Sequence, residues 1–426
     1  MKIYLDTIGC RLNQSEIESM ARAFRAAGHQ IVTGADVADM AVVNTCAVTS
    51  AAAADSRSKI RQIARAGVKE IIATGCWSTL QPQQALELPG VTQVIKNDRK
   101  DHLVTDVLNL PREEELYDLE PLAREPLPGL HRRTRAFIKV QDGCDNRCTF
   151  CVTTVARGEG RSRPVADVVL DVQLALAGGA KEIVLTGVHL GSWGYDFGLH
   201  LRELIKAILH ETDVPRLRLS SLEPWDLDVD FFSLWNDKRL MPHLHLPLQS
   251  GCASTLKRMA RKTTPISFRE LVGAARVVIP DVAITTDIIA GFPGETDDEF
   301  AESLAFVREM NFAGGHVFTY SPRPGTGAAR MKGQVRPETR KRRNHILHEA
   351  LEESANTYRR QFVGQTLSVL WESVSEMGES GWQMEGLSEN YLRVNAFAPS
   401  PRWNELDQVK IHSYDVNNIK GIIIGS

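Results

Sequence analysis

Three cysteines in eight residues, Cys144-Asp145-Asn146-Arg147-Cys148-Thr149-Phe150-Cys151, constrain this chain more than any other feature. Thiolates with two or three residues between them are spaced as metal ligands, and three sulfurs this close can wrap one cluster. Zinc is the rival metal, but a structural zinc site wants four protein ligands, and no fourth lies nearby. A four-iron cube held by three thiolates leaves one iron open, where a small molecule can chelate it.

The chain has seven cysteines, an odd number, with Cys10, Cys46, Cys76 and Cys252 outside the tripod. Met1 to Asp6 reads as a short strand and not as a charged segment leading into a long apolar run, so no signal peptide is expected. No stretch approaches eighteen consecutive apolar residues, so no membrane span is expected. In a reducing compartment such as the cytoplasm these thiols stay free for metal. The length of 426 residues suits two to three domains. A net charge of −3 gives no global basic footprint, so any nucleic-acid surface has to be a local patch.

The pattern before the tripod alternates strand and helix. Lys2–Ile8, Met40–Asn44 and Glu70–Thr74 read as strands; Ser15–Ala27 and Ala51–Ala66 read as helices, closed by Gly28 and Gly67. Such alternation builds a parallel sheet. Cys10, Cys46 and Cys76 each follow the carboxyl end of a strand and precede a helix. In open α/β sheets these ends lie along one edge, where ligands bind. A lone cysteine is usually a small buried hydrophobe, but three at equivalent turns make a second three-cysteine site. Cys252, with no such partners, reads as a buried core thiol.

The stretch from 108 to 130 breaks the pattern with Pro111, Pro121, Pro126, Pro128 and an acidic run at Glu113–Glu115, and reads as a linker. A second alternating region spans 131–335, with strands at Ala136–Val140, Glu182–Thr186, Leu217–Ser220, His243–Leu248, Ala283–Ile289 and Gly315–Thr319. Six βα units suit an incomplete barrel, whose chemistry gathers at the carboxyl ends of its strands. A basic helix follows over 336–362, with Arg340, Lys341, Arg342, Arg343, Arg359 and Arg360; it is either a solvated face or a phosphate contact. The segment 363–426 reads as short strands, Gln365–Trp371, Trp382–Glu385, Tyr391–Val394 and Val409–Tyr414, forming a small β-barrel of oligonucleotide-binding size. The fold class is thus α/β: an open parallel domain over 1–107, an incomplete (βα)6 barrel and a terminal β-barrel.

These residues resemble the methylthiotransferases of the radical S-adenosylmethionine (SAM) superfamily over essentially the whole chain. Thr7-Ile8-Gly9-Cys10-Arg11-Leu12-Asn13, Asn44-Thr45-Cys46-Ala47-Val48 and Thr74-Gly75-Cys76 resemble the three ligand motifs of the family's amino-terminal domain. Cys148-Thr149-Phe150-Cys151, with Ala156-Arg157-Gly158 and Arg161-Ser162-Arg163-Pro164, resembles its SAM-cluster region. Val152-Thr153-Thr154-Val155 departs from an Ile-Pro-Tyr-like run more usual there. The last domain resembles TRAM, an RNA-binding barrel, yet from Gly364 onward Arg393, Arg402, Lys410 and Lys420 face eight acidic residues. Its role would then be shape recognition, aromatic contact by Trp382 or Tyr391, or domain packing. Leu185–Ser192, Arg218–Pro224 and His243–Cys252 are similar to the branch acting on N6-threonylcarbamoyladenosine in tRNA. Other branches act on isopentenyladenosine or on a ribosomal protein. A reading from another class is a non-enzymatic two-cluster electron carrier or RNA-binding scaffold; carriers usually ligate every iron.

The resemblance implies two 4Fe-4S clusters and SAM, since an unactivated adenine carbon 2 cannot be methylthiolated by side chains alone. Cys144, Cys148 and Cys151 would hold the cluster that binds SAM; Cys10, Cys46 and Cys76 would hold the one that carries sulfur. An electron donor, a sulfur source and tRNA are the implied partners. Ser220, Ser221, Glu223 and Gln249 are expected to bind polar groups of SAM, and Gly291, Gly294 and Glu295 to let its adenine approach. Arg157, Arg161, Arg163 and Arg323 suit phosphate or the SAM carboxylate, and Arg340, Lys341 and Arg343 suit tRNA phosphate. His243 and His245 are expected to make core hydrogen bonds.

Overall fold

The computed structural model describes residues 1–110, 134–378, 381–416 and 418–424. Beyond residue 110, the expected linker lies outside the described residues, as do 131–133 of the basic stretch preceding the barrel. The chain folds as two compact units: Met1–Asn146, Cys151–Gly179 and Thr186–Val188 in one, and Arg147–Phe150, Ala180–Leu185 and His189–Ser426 in the other.

The first unit opens with β1 (Lys2–Thr7), α1 (Arg11–Ala26), β2 (Gln30–Val32), β3 (Met40–Thr45), α2 (Ser50–Arg65), β4 (Ile71–Gly75), α3 (Cys76–Leu80), α4 (Pro82–Leu86), β5 (Val91–Ile95) and α5 (Leu103–Leu108). The strands form a parallel sheet in the order β2-β1-β3-β4-β5. Every residue of β3 and β4 is buried. Helices cover both faces, so these strands read as continuous apolar runs and not as alternations. Ile17, Met20 and Phe24 of α1 pack with Ile3, Leu5, Val42 and Ile72; Ile60 and Ile63 of α2 pack with Val43, Ala73 and Trp77.

α1 starts four residues before the expected Ser15. Cys10 holds the N-cap position in extended conformation with no side-chain cap, so the cysteine turn itself, and not a serine signal, begins the helix. The strands β2 and β5 escape the sequence pattern because β2 has three residues and β5 exposes Thr92 and Gln93 at the sheet edge. The unit continues with β6 (Arg135–Lys139), β7 (Gln141–Asp142), the tripod ends, α6 (Thr153–Arg157), β8 (Arg161–Ser162) and α7 (Val165–Ala177). β7 and β8 pair antiparallel, Gln141 with Ser162, and clamp the neck of the tripod loop.

The second unit holds β9 (Glu182–Thr186, its last residue in the first unit), α8 (Leu201–Glu211), β10 (Arg216–Leu219), β11 (His243–His245), α9 (Ala253–Arg258), α10 (Pro265–Val278), β12 (Ala283–Ala290), α11 (Asp297–Met310), β13 (Gly314–Thr319) and α12 (Pro337–Arg360). β9 pairs in parallel with β10, a bridge from Ser221 to His245 reaches β11, and β11, β12 and β13 continue in parallel. These are the staves of an open barrel. Near the start of β11, His243 and His245 both bond the Thr285 hydroxyl at 3.0 Å, as core histidines do. Cys252 is buried.

β14 (Thr366–Gly378), β15 (Gly381–Ser388), β16 (Arg393–Ala398), β17 (Leu406–Tyr414) and β18 (Ile419–Ile423) close a second barrel in the order β14-β15-β16-β18-β17. Its core is Val369, Trp371, Met384, Val394, Val409 and Ile419. The turn between β15 and β16 docks on the amino ends of β10 and β11. Arg216 donates to the Leu387 carbonyl at 3.1 Å and to that of Ser368 at 2.6 Å. Arg218 donates to the Glu389 carbonyl at 3.1 Å and forks onto Glu182 at 2.8 and 3.0 Å. Tyr391 stacks on His243, ring centres 4.1 Å apart and 12° from parallel. Of the roles open to Tyr391, domain packing is the one its neighbours supply.

Candidate cluster and cofactor sites

In the first unit the motifs around Cys10, Cys46 and Cys76 converge at the carboxyl edge of β1, β3 and β4. Gly9 holds φ +110, and a side chain there would bring Cβ within 2.6 Å of the Cys46 sulfur. Only glycine lets the Cys10 turn come so near Cys46. Gly75, at φ +94, sits equally tight on the Thr45 backbone. Burial pushes the Cys46 thiol up to about 11, and Cys10 and Cys76 push the same way. Cys10 meets solvent, but the protein around it still raises its thiol, opposed by Arg157. The Asn97 amide lies 3.8 Å from the Cys76 sulfur and donates to the Ala156 carbonyl at 2.8 Å.

Beneath these cysteines lies a buried polar network. The Arg157 guanidinium donates to Glu16 and Asn13 at 2.8 Å and to Asp142 at 2.9 Å. Lys100 donates to Glu16 at 2.8 Å and to the Asn44 side-chain oxygen at 3.0 Å. Asn13 also donates to the Ile8 and Thr45 carbonyls at 2.8 and 3.1 Å, joining the first two motifs. Burial works against the charged Glu16, but Arg157, Lys100 and Lys139 hold its carboxyl well below the usual range. This corrects the expected role of Arg157: it is not a surface phosphate contact, because its donors are spent on buried acceptors.

The tripod loop is pinned along its length. In the first unit the Cys144 amide donates to the Gly158 carbonyl at 3.0 Å and the Thr153 amide reaches the Cys151 sulfur at 3.4 Å. Gly143, at φ +72, would place a Cβ 1.8 Å from the Glu159 carbonyl. In the second unit the Thr149 amide donates to the Met259 carbonyl at 3.0 Å, and Phe150 meets Phe292 edge-on. The Arg261 guanidinium lies 3.8 Å from the Cys148 sulfur, donates to both Glu223 oxygens at 3.0 and 2.6 Å, and covers Trp225 at 4.4 Å. No sequence signal marked Arg261, since its partners lie 38 and 113 residues away.

The remaining expected residues divide. The Ser220 hydroxyl is buried with no hydrogen-bond partner among the described residues. Ser221 and Glu223 stay partly open. Gln249 holds φ +70, rare for a residue with a side chain, and its backbone N–H donates to the Asp287 carbonyl at 2.8 Å. These four lie at the carboxyl ends of β10 and β11. Gly291 serves a different need: a Cβ there would lie 2.2 Å from Arg340 Cγ, so its missing side chain makes room for α12. Gly294, at φ +79, turns beside Arg258. Glu295 is also redirected, accepting from Arg343 at 2.6 Å. Arg343 is buried between Glu295 and Asp297 and is not a tRNA contact. Arg340 donates to the Tyr320 carbonyl at 2.6 Å. Lys341 and Arg161 are exposed, and Arg163 pairs with Asp171 at 2.7 Å.

The amino-terminal cysteine set, gathered at one sheet edge of the first unit, fits a cluster. All seven cysteines are free. Among the described residues, no three His, Cys, Asp or Glu side chains converge tightly enough for a single metal ion, but cluster thiolates each bind a separate iron and stand further apart. No described helix is long and apolar enough to cross a membrane.

A chain with an open parallel barrel, three cysteines in eight residues and a second cysteine triad has the parts of a radical SAM enzyme. Residues 2–96 match the uncharacterized protein family UPF0004, and residues 138–307 match the Radical SAM superfamily. The chain is 39% identical over 397 residues to the threonylcarbamoyladenosine tRNA methylthiotransferase MtaB of Thermotoga maritima, covering 92% of this chain and 90% of that one. It is 31% identical over 441 residues to the tRNA-2-methylthio-N(6)-dimethylallyladenosine synthase of Oceanobacillus iheyensis, covering 99% and 84%. The fold is similar to that of the radical SAM methyltransferase TsrM of Kitasatospora setae, with TM-score 0.59, 16% identity and coverage of 77% and 75%. The chain belongs to the radical SAM methylthiotransferase family. It is an enzyme whose cofactors are SAM and 4Fe-4S clusters.

Proposed function

We propose that the chain adds a methylthio group to carbon 2 of N6-threonylcarbamoyladenosine next to the anticodon of tRNA. The observation that carries this is 39% identity to the Thermotoga protein of that name along nine-tenths of its length. SAM and the clusters, when bound, supply the radical and sulfur chemistry that side chains lack. Cys144, Cys148 and Cys151 hold one cluster, and Cys10, Cys46 and Cys76 the other. Arg261 keeps positive charge beside Cys148 and orients Glu223. Ser220, Ser221, Glu223 and Gln249 receive the polar groups of SAM. Arg157, Lys100 and Asn97 fix the charge and geometry around the amino-terminal triad. Lys341 and Arg161 are left to meet phosphate. An electron donor, a sulfur source and a cytoplasmic setting complete the reading.

The test is the nucleoside content of tRNA from a strain lacking the gene. Loss of the 2-methylthio group from threonylcarbamoyladenosine alone is the expected result; loss from the dimethylallyl nucleoside would move the chain to the other branch. In the purified protein, replacing Cys144, Cys148 and Cys151 by Ala is expected to leave about half the iron. Unchanged iron would overturn the tripod assignment.

A further inference from the structure

In the second unit a cavity of about 480 Å³ lies between the loop after β9 and the turn after β10, lined by Tyr195, His200, Arg202, Trp225, Asp226 and Phe231 among others. Its wall is tightly built. A Cβ on Gly191 would lie 2.5 Å from an Asp226 oxygen, and His189 holds that carboxylate at 2.5 Å. The other acids nearby are also engaged. Asp228 accepts from the Phe231 amide at 2.7 Å and from Arg202 at 2.5 Å, and Glu203 accepts from the His200 amide at 2.8 Å.

One strong donor is left over. The Trp225 indole N–H is buried with no hydrogen-bond partner among the described residues. Such a group costs free energy unless something accepts from it. Arg261 and Lys262 lie over the same ring at 4.4 and 5.8 Å, so an acceptor there would be anionic or strongly polar. Arg261 also reaches the Cys148 sulfur, so it is the side chain between this wall of the cavity and Cys148.

The names of the relatives distinguish two substituents on adenine N6, a threonylcarbamoyl group and a dimethylallyl group. The first carries a carboxylate, a hydroxyl and a urea; the second is a hydrocarbon. We propose that this cavity receives the carbamoyl-amino-acid arm of the target adenosine, with the Trp225 indole N–H as its donor and the Arg202 guanidinium, one nitrogen of which holds Asp228, offering its other N–H groups. The assignment rests on the function proposed above and supplies its specificity: a site built to hydrogen-bond a substituent strongly rejects an analogue lacking those acceptors, because its own donors are then left unpaired.

The test uses anticodon hairpins that differ in one nucleoside: threonylcarbamoyl-, dimethylallyl- or unmodified adenosine. Cluster-loaded wild type, Trp225→Phe and Arg202→Gln are compared by kcat/KM. Wild type is expected to prefer the first hairpin, and each variant to lower that preference about 10- to 100-fold, mainly through KM. Affinity for the unmodified hairpin is expected to stay within about twofold. Unchanged preference in both variants overturns the assignment. A second measurement needs no loaded variant: the Trp225 indole N–H signal of 15N-labelled wild type, identified by its loss in Trp225→Phe, is expected to shift with the first hairpin only. A signal that ignores that hairpin, or follows all three equally, also overturns it. A wild type that modifies only the dimethylallyl hairpin defeats the proposed function itself; one that modifies the threonylcarbamoyl hairpin while both variants keep its preference defeats the cavity assignment alone.

Discussion

Arg157 shows how much one side chain can hold together. Its guanidinium neutralises Glu16 and Asp142, both buried, while Lys100 shares Glu16. Removing one partner of a buried ion pair costs more than the pair is worth, because the other charge stays behind without compensation. Lys100 and Lys139 still face Glu16, and Lys139 faces Asp142, so Arg157→Ala is expected to destabilise the protein by about 1–3 kcal/mol, the cost of lost hydrogen bonds to buried charge. The iron held by Cys10, Cys46 and Cys76 should fall with it. Denaturant melts of the iron-free protein check the first outcome, and iron analysis in a background lacking the tripod cysteines checks the second. The cysteines were legible from spacing and strand ends alone. The partner of Arg157 was not: a sequence shows that an arginine needs an anion but not which one, and Glu16 lies 141 residues away.

At the scale of elements, α12 was legible in outline and misleading in detail. The helix runs from Pro337 to Arg360, close to its expected bounds, but its basic cluster is split between two faces. Arg343 turns inward to Glu295 and Asp297, whereas Lys341 and Arg342 are exposed. The 3.6-residue period predicts a helix, but the turn at Gly291–Glu295 decides which side is covered. Reversing Lys341 and Arg342 to Glu is expected to weaken tRNA binding and flatten its salt dependence, with the melting temperature nearly unchanged. A solvated face would leave both the affinity and the slope as they were, so binding across a salt series separates the two. Arg343→Glu is expected instead to lower the melting temperature steeply, since it sets a second buried carboxylate against Glu295. β18 passed unread because Gly421 interrupts its apolar residues and its exposed Ile422 obscures the alternation.

At the scale of the whole molecule, the second unit joins its two barrels through Arg216, Arg218, His243 and the turn Ser388–Tyr391. Arg218 and Glu182 are both fully buried there. Arg218→Ala leaves Glu182 with Arg216 alone, 3.8 Å away, and is expected to cost about 3 kcal/mol, with both barrels melting at lower temperature; differential scanning calorimetry of the full chain reads this directly. The small barrel itself was legible from its broken strands, but the grip of Arg216 and Arg218 on its backbone carbonyls was not. A tube in which reactive species are made has two ends. Cofactor and substrate need the upper one, and whatever stops the lower one keeps water from entering behind them. Here a tyrosine-tipped turn, held by two arginines, lies over the amino ends of β10 and β11, at the end away from Ser220 and Gln249.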